Sequence, residues 1–403
     1  MAANILDTID RQQLGKSLKQ AREQRGMTQA DAAQELEVSR TTLVAIENGT
    51  RRLKPAELIT LARTYGRSVS DFVRPRPVVE PLEVQFRALY RRTQEEQAAI
   101  EPVVLRLQQL CENYLELEQL MGSPLPQNYP AEYDVEEMPI EPLAEAIATQ
   151  ERQRLGLGDH PIQQLRDTLE ANVGLRIFYL PMPPKFSEIY SYNPELGGCL
   201  GINSNHPEER RRWSLAHGYL HFLAHRYKAV VDFDDQYQRM PDSEKLAEAF
   251  AKYFLMPTSS LLKQFRDRSG SNKGKFTQID LFTLAHYYGV SVQALAFRLE
   301  EMKCIPTGTW DNLHSRGLKV RSVQQQLNLQ DIPQLSDMTP VHYQHLAIEA
   351  LDRALITEGQ FAKFLGVNRL EARYIAEQLR EYSSGILDED RVNLREVADV
   401  EHQ

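Results

Sequence analysis

The stretch Met27-Thr-Gln-Ala-Asp-Ala-Ala-Gln-Glu-Leu-Glu-Val-Ser-Arg-Thr-Thr-Leu-Val-Ala-Ile-Glu-Asn-Gly-Thr-Arg-Arg52 constrains the fold most, because it spells two short helices and the turn between them. Thr28 with Asp31 three residues on makes a capping-box start for the first helix. Ser39 caps the second, and Gly49 suits its C-terminal end, where φ turns positive. Ala33, Leu36, Val38, Leu43 and Ile46 have the spacing that packs one helix across the other. Charge adds direction. Residues 11–76 carry 13 Lys/Arg against 7 Asp/Glu, and the rest of the chain 34 against 49, within a formal net charge of −9. A basic helical module on an acidic body is what a nucleic-acid reader joined to a domain of other use looks like.

Residues 12–73 resemble the XRE, or lambda-repressor-like, helix-turn-helix family. The resemblance implies a five-helix unit that places its second motif helix in the major groove of double-stranded DNA. Carried onto this sequence, it makes Arg40, Thr41 and Ala45 the base readers. Arginine pairs with the O6/N7 edge of guanine, and Thr41 or Ala45 touches a thymine methyl. It makes Gln29, Asn48, Thr50, Arg51 and Arg52 the phosphate contacts.

The second constraining pattern is Leu215-Ala-His-Gly-Tyr-Leu-His-Phe-Leu-Ala-His225, followed by Glu244-Lys-Leu-Ala-Glu-Ala-Phe-Ala-Lys-Tyr-Phe-Leu-Met-Pro257. Histidines four apart on a helix share a face, so His217 and His221 can hold two corners of a zinc tetrahedron. A carboxylate from a second helix commonly supplies the third, with Glu244 and Glu248 as candidates. His225 extends the same face by a turn and reads as structural.

These segments resemble the ImmA/IrrE family of HExxH metallopeptidases over roughly residues 140–300. That resemblance implies an α+β zincin-like domain, selects Glu244 as the third ligand, and puts Glu248 where the family has asparagine. It also exposes a departure: Gly218 stands where the family has the glutamate that takes the proton from metal-bound water. Losing a general base typically costs about 10²–10⁴ in rate. A glycine inside a helix also costs roughly 1 kcal/mol against alanine, so helix propensity does not account for it. The expectation is a zinc site without a catalytic residue, a pseudo-peptidase that senses or binds.

A proline-rich break, Arg74-Pro-Arg-Pro-Val-Val-Glu-Pro81, follows the first unit. After it, Ile100, Leu107, Tyr114 and Met121 recur every seven residues with Val103, Leu110 and Leu117 between them, giving either a short coiled-coil seam or a helix lying on a neighbour. Helices are expected over Ala144–Gly156, Ile162–Ala171, 207–226 and 243–255, and strands over Leu175–Leu180 and Gly198–Asn203. The spacing of Ala33, Glu37 and Leu43 recurs at Ala285, Gly289 and Leu295 and at Ala362, Gly366 and Ala372, in mixed or acidic surroundings that favour structural or protein-contact roles. No apolar run approaches the roughly 20 residues of a membrane span, and the N-terminus lacks a secretory pattern. Three cysteines far apart, Cys111, Cys199 and Cys304, suit a reducing compartment, so the expected location is cytoplasmic.

The expected fold is multidomain and mainly α. Residues 1–76 form the helix-turn-helix, 77–130 a linker and heptad-patterned helix, 131–305 the zincin-like domain, and 306–403 a C-terminal helical module and tail. The expected function is a sequence-specific DNA-binding regulator, a homodimeric repressor on a near-palindromic operator. Its body answers to a small ligand, a metal, a nucleic acid or a protein partner such as a toxin, a repressor or a phage-defence protein. The alternatives are a zinc-dependent peptidase that cleaves a repressor or partner, and an antitoxin that regulates its own operon.

Overall fold

The computed structural model describes residues 10–67, 69–73, 82, 94–135, 139–233, 240–271, 274–317, 319–329 and 339–389. The N-terminal segment 1–9, the proline-rich break at 74–81 and the polar tail beyond 389 lie outside the described residues. The chain divides into two compact units, Met1–Glu80 and Pro81–Gln403, and it is mainly helical.

Among its described residues the first unit holds five helices: α1 (Arg11–Gln24), α2 (Gln29–Glu35), α3 (Arg40–Glu47), α4 (Pro55–Thr64) and α5 (Ser70–Val73). Local chemistry sets their ends. Asp10 accepts from the amides of Gln12 and Gln13 at the start of α1. Thr28 and Asp31 close a capping box on α2, and Ser39 caps α3 through the amide of Thr42. Leu14, Leu18, Ala33, Leu43, Ile46, Leu58 and Leu61 form the core, with Leu36 and Val38 packed at its edge. Gly15 lets α1 lie against the end of α3: a Cβ there would stand 2.7 Å from the Ile46 carbonyl and closer still to that of Glu47.

A buried ion pair sits between those two helices. Arg22 Nε donates to Glu47 Oε1 at 2.6 Å, and Arg22 Nη2 to Oε2 at 3.2 Å. Only 7% and 2% of the two side chains are exposed.

The second unit is built on a four-stranded sheet: β1 (Arg176–Leu180), β2 (Phe186–Asn193), β3 (Gly197–Asn203) and β4 (Val230–Phe233), in the order β1-β3-β2-β4. β1 runs parallel to β3, while β2 runs antiparallel to both β3 and β4. Every residue of β1 and β3 is buried, because helices cover both faces. On one side lies α6 (Gln94–Met121), where a Cβ at Gly201 of β3 would meet Leu107. On the other lies α9 (Glu208–Ala224), where Leu200 of β3 abuts Gly218.

The heptad seam is therefore covered within the chain. Ile100, Leu107, Leu110, Tyr114 and Leu117 are buried, and Tyr114 meets Phe178 of β1 and Tyr343 of α16 (Val341–Asp352) edge to face. The helices expected in the central region are observed as α7 (Ile140–Arg154), α8 (Leu165–Val173), α9 and α10 (Asp242–Leu255). Next come α11 (Thr258–Ser271), α12 (Gln278–Tyr288), α13 (Val292–Glu301), α14 (Thr309–Ser315) and α15 (Val320–Gln326). After α16, α17 (Glu358–Leu365) and α18 (Arg369–Glu389) end the described chain.

Both recurrences of the crossed-helix spacing are helix pairs, α12–α13 and α17–α18. Ala285, Leu295, Ala362 and Ala372 are buried at their crossings. Arg212 of α9 anchors the first pair by donating to the Gly289 carbonyl at 3.1 Å.

Candidate metal centre and nucleic-acid interface

α9 is buried nearly all round, its apolar C-terminal half from Leu215 to Ala224 completely so. It carries His217 and His221 one turn apart, with ring centroids 5.0 Å from each other. α10 lies against α9 and α7 and delivers Glu244. The Glu244 Oε2 atom lies 3.4 Å from His217 Nε2 and 3.5 Å from His221 Nε2. For zinc bonded at about 2.0–2.1 Å, adjacent tetrahedral donors stand roughly 3.3–3.4 Å apart. Both separations match an edge of that size.

The donor chemistry agrees. Both ring nitrogens of His221 are buried without a hydrogen-bond partner, a costly state unless something else is bound. Burial also lowers the His221 pKa to about 4, leaving the neutral ring that ligates metals. Burial alone would raise Glu244, but the two imidazoles beside its Oε2, His217 and His221, hold it well below the usual carboxylate range. Two overlapping groups of donors have the compactness of a metal site, Glu188 with His217 and His221, and His217 with Asp232 and Glu244; neither holds His217, His221 and Glu244 together.

Glu248, one turn beyond Glu244, does something else: its Oε2 accepts from Trp213 Nε1 at 2.9 Å, and burial raises its pKa. Beside this pair opens a cavity of about 810 Å³ whose lining mixes apolar side chains such as Trp213, Met240 and Phe297 with charged ones such as Arg210, Lys245 and Glu301. Phe297 is 43% exposed at its rim.

Two carboxylates of the centre were not expected from sequence, Glu188 and Asp232. Glu188 reaches it from β2, a strand that does not stand out in the sequence, and pairs with Asp232 across β2 and β4. Glu188 is fully buried, and its Oε1 lies 2.8 Å from His217 Nδ1. Burial pushes its pKa to about 8. Burial works against a charged His217, but the Glu188 carboxylate beside it raises the ring above its ordinary value. The strand-forming residues Phe186, Ile189, Tyr190 and Tyr192, bounded by Pro183-Pro184 and the turn-rich Asn193-Pro-Glu, are the signal that could have exposed the strand.

In the first unit, Arg40 and Thr41 stand exposed at the start of α3, with Ala45 half-buried one turn on. Arg40 Nη2 donates to Gln29 Oε1 at 3.4 Å, and Gln29 Nε2 donates to Glu47 Oε2 at 3.0 Å. Gln29 thus links Arg40 to the buried Arg22–Glu47 pair. Beyond α3, Asn48, Thr50 and Arg52 are exposed, and Thr50 Oγ1 bonds the Ala45 carbonyl at 3.0 Å. Arg51 differs from the other proposed phosphate contacts. Its guanidinium is held by both oxygens of Glu57, at 3.1 and 2.8 Å.

Residues 18–72 match the family described as helix-turn-helix, and residues 170–300 match the IrrE N-terminal-like domain. A search of curated proteins finds no match. Among solved structures, the chain is similar to ComR from Streptococcus suis, with 12% identity, 98% of this chain and 97% of that chain covered, and a TM-score of 0.16. It is similar also to PlcR of Bacillus thuringiensis, solved with the peptide PapR7 and DNA, with 10% identity, 95% and 99% covered, and a TM-score of 0.17. At such TM-scores neither structure bears on the arrangement seen here. No described helix is long and apolar enough to cross a membrane.

Proposed function

We propose that this fusion of a helix-turn-helix domain with an IrrE-like domain is a DNA-binding transcriptional repressor whose IrrE-like body senses or binds rather than cuts. The observation that carries the DNA half is α3, which offers Arg40 and Thr41 from its first turn on a basic unit. The matching operator has two half-sites about one helical turn apart, read by two copies of the chain. The heptad seam of α6 is already covered, so a dimer uses another surface.

Arg40→Ala should weaken binding to the protein's own promoter by about 1–3 kcal/mol, roughly 5- to 150-fold, with loss of preference at one base pair. Arg52→Ala should weaken binding evenly across sequences and lower the slope of log affinity against log salt by about 1. Fluorescence titration at several salt concentrations checks both. Unchanged promoter affinity in Arg40→Ala removes it as a base reader.

In the body, His217, His221 and Glu244 are the side chains that would hold zinc, cross-linking α9 to α10. Bound zinc supplies a Lewis acid, and a hydrolase also needs a base. At Gly218 there is none, Glu188 is engaged by His217 and Glu248 by Trp213, and Asp232 groups with His217 and Glu244 as a further metal donor. The cavity beside Trp213 has the size of a small-ligand or peptide-segment site, which suits a sensor. Metal analysis of the purified chain should find close to one zinc per chain, lost in His221→Ala. Incubation with zinc and neighbouring-gene proteins should leave those proteins intact. Cleavage that disappears in His217→Ala would establish a peptidase instead.

A further inference from the structure

Gly218 looks like a loss when it is compared with a motif, yet the space beside it is filled. A Cβ built on Gly218 would stand 2.9 Å from Glu188 Oε1 and 2.5 Å from Leu200 Cδ2. Both contacted atoms end flexible side chains, but Glu188 and Leu200 are each 0% exposed and have nowhere to retreat. The same Glu188 Oε1 is the atom that meets His217 Nδ1 at 2.8 Å.

We propose that Glu188 and Gly218 are a matched pair: Glu188 is a positioning residue that orients His217, and the glycine makes the room it needs. The proposal rests on the metal reading above. A histidine that ligates through one nitrogen commonly gives its other N–H to a carboxylate, which fixes the tautomer and the ring plane. Here that carboxylate comes from β2, whose register sets Glu188 opposite Ile202 of β3 and Asp232 of β4. With Nδ1–H committed to Glu188, the His217 Nε2 lone pair faces Glu244. Any side chain at 218 displaces Oε1 and turns the ring. The pairing also accounts for a glycine inside a buried helix, which propensity alone disfavours.

Two measurements on the full chain test this. The first is a thermal cycle of wild type, Gly218→Ala, Glu188→Ala and the double variant. Helix propensity predicts that Gly218→Ala raises the melting temperature; matched packing predicts a fall of about 2–4 °C or more. In the Glu188→Ala background the same change should lower the melting temperature by clearly less, because only the contact with Leu200 remains. Equal shifts in both backgrounds overturn the pairing.

The second is zinc affinity by chelator competition. Glu188→Leu should weaken zinc about 10- to 100-fold, whereas Glu188→Gln, which keeps an acceptor oxygen for Nδ1–H, should stay within a few-fold of wild type. Unchanged affinity in Glu188→Leu, or an equal loss in both, overturns the orienting role. A wild-type chain that takes up no zinc overturns the metal reading and the orienting role together, and the thermal cycle still decides the steric pairing.

Discussion

Glu47→Ala should destabilise the helix-turn-helix unit by about 3–5 kcal/mol, the cost of leaving a buried charge without its partner, and should abolish promoter binding. Arg22 is anchored by three bonds, two to Glu47 and one from Nη1 to the Met27 carbonyl at 2.8 Å. Without Glu47 its guanidinium stays buried with only the Met27 carbonyl and the solvent-exposed Glu23 carboxylate, 3.5 Å away, beside it, in a domain whose total stability is on the order of 5–15 kcal/mol. Gln29 loses its anchor in the same step. Urea unfolding followed on the full chain, with promoter titration alongside, checks the loss. The control is the double change Arg22→Met with Glu47→Leu, which removes both charges and should recover most of the stability. A single variant as stable as wild type would show that the pair contributes nothing.

Gly174→Ala should be as damaging, by more than about 4 kcal/mol, for a backbone reason. Gly174 ends α8 in the left-handed region at φ 91°, and a Cβ there would overlap the Pro126 carbonyl oxygen. Neither backbone can yield cheaply. The segment around Pro126 is tied across the end of α8, where the Asn128 amide bonds the Val173 carbonyl at 3.3 Å and its side-chain amide that of Asn172 at 3.2 Å. Gly156 is the comparison: φ is 66° but nothing lies within 4 Å of its Cβ position, so Gly156→Ala should show the dihedral cost alone, about 1–3 kcal/mol. Soluble yield and melting temperature distinguish the two. Equal effects would mean that Pro126 moves aside.

How much of this was legible in the sequence follows from how local each feature is. Thr28 with Asp31, Ser39 and Gly49 act within one turn of the chain, so the helix-turn-helix could be read directly. His217 and His221 were legible for the same reason, being neighbours on a helix face. Glu188 was not. It lies 29 residues from His217, on a strand whose two faces are both covered, so its polar residues broke no recognisable stripe. Its meaning depends on the β2–β3–β4 register, which no window of sequence contains. The Arg22–Glu47 pair, 25 residues apart, was hidden in the same way. The choice between a coiled-coil seam and a helix lying on the sheet needed Phe178 and Tyr343, which come from other parts of the chain.

The crowding around Gly218 also bears on the paths by which such a site can change. Starting from a glutamate at 218, a lineage that acquired Glu188 first would have two carboxylates competing for one buried space beside His217. Glycine first opens that space and leaves a tolerable gap. The order is therefore directional, and so is the way back: a reversion at 218 meets Glu188 already in place. A glutamate at 218 would therefore be accommodated only with a second change at 188.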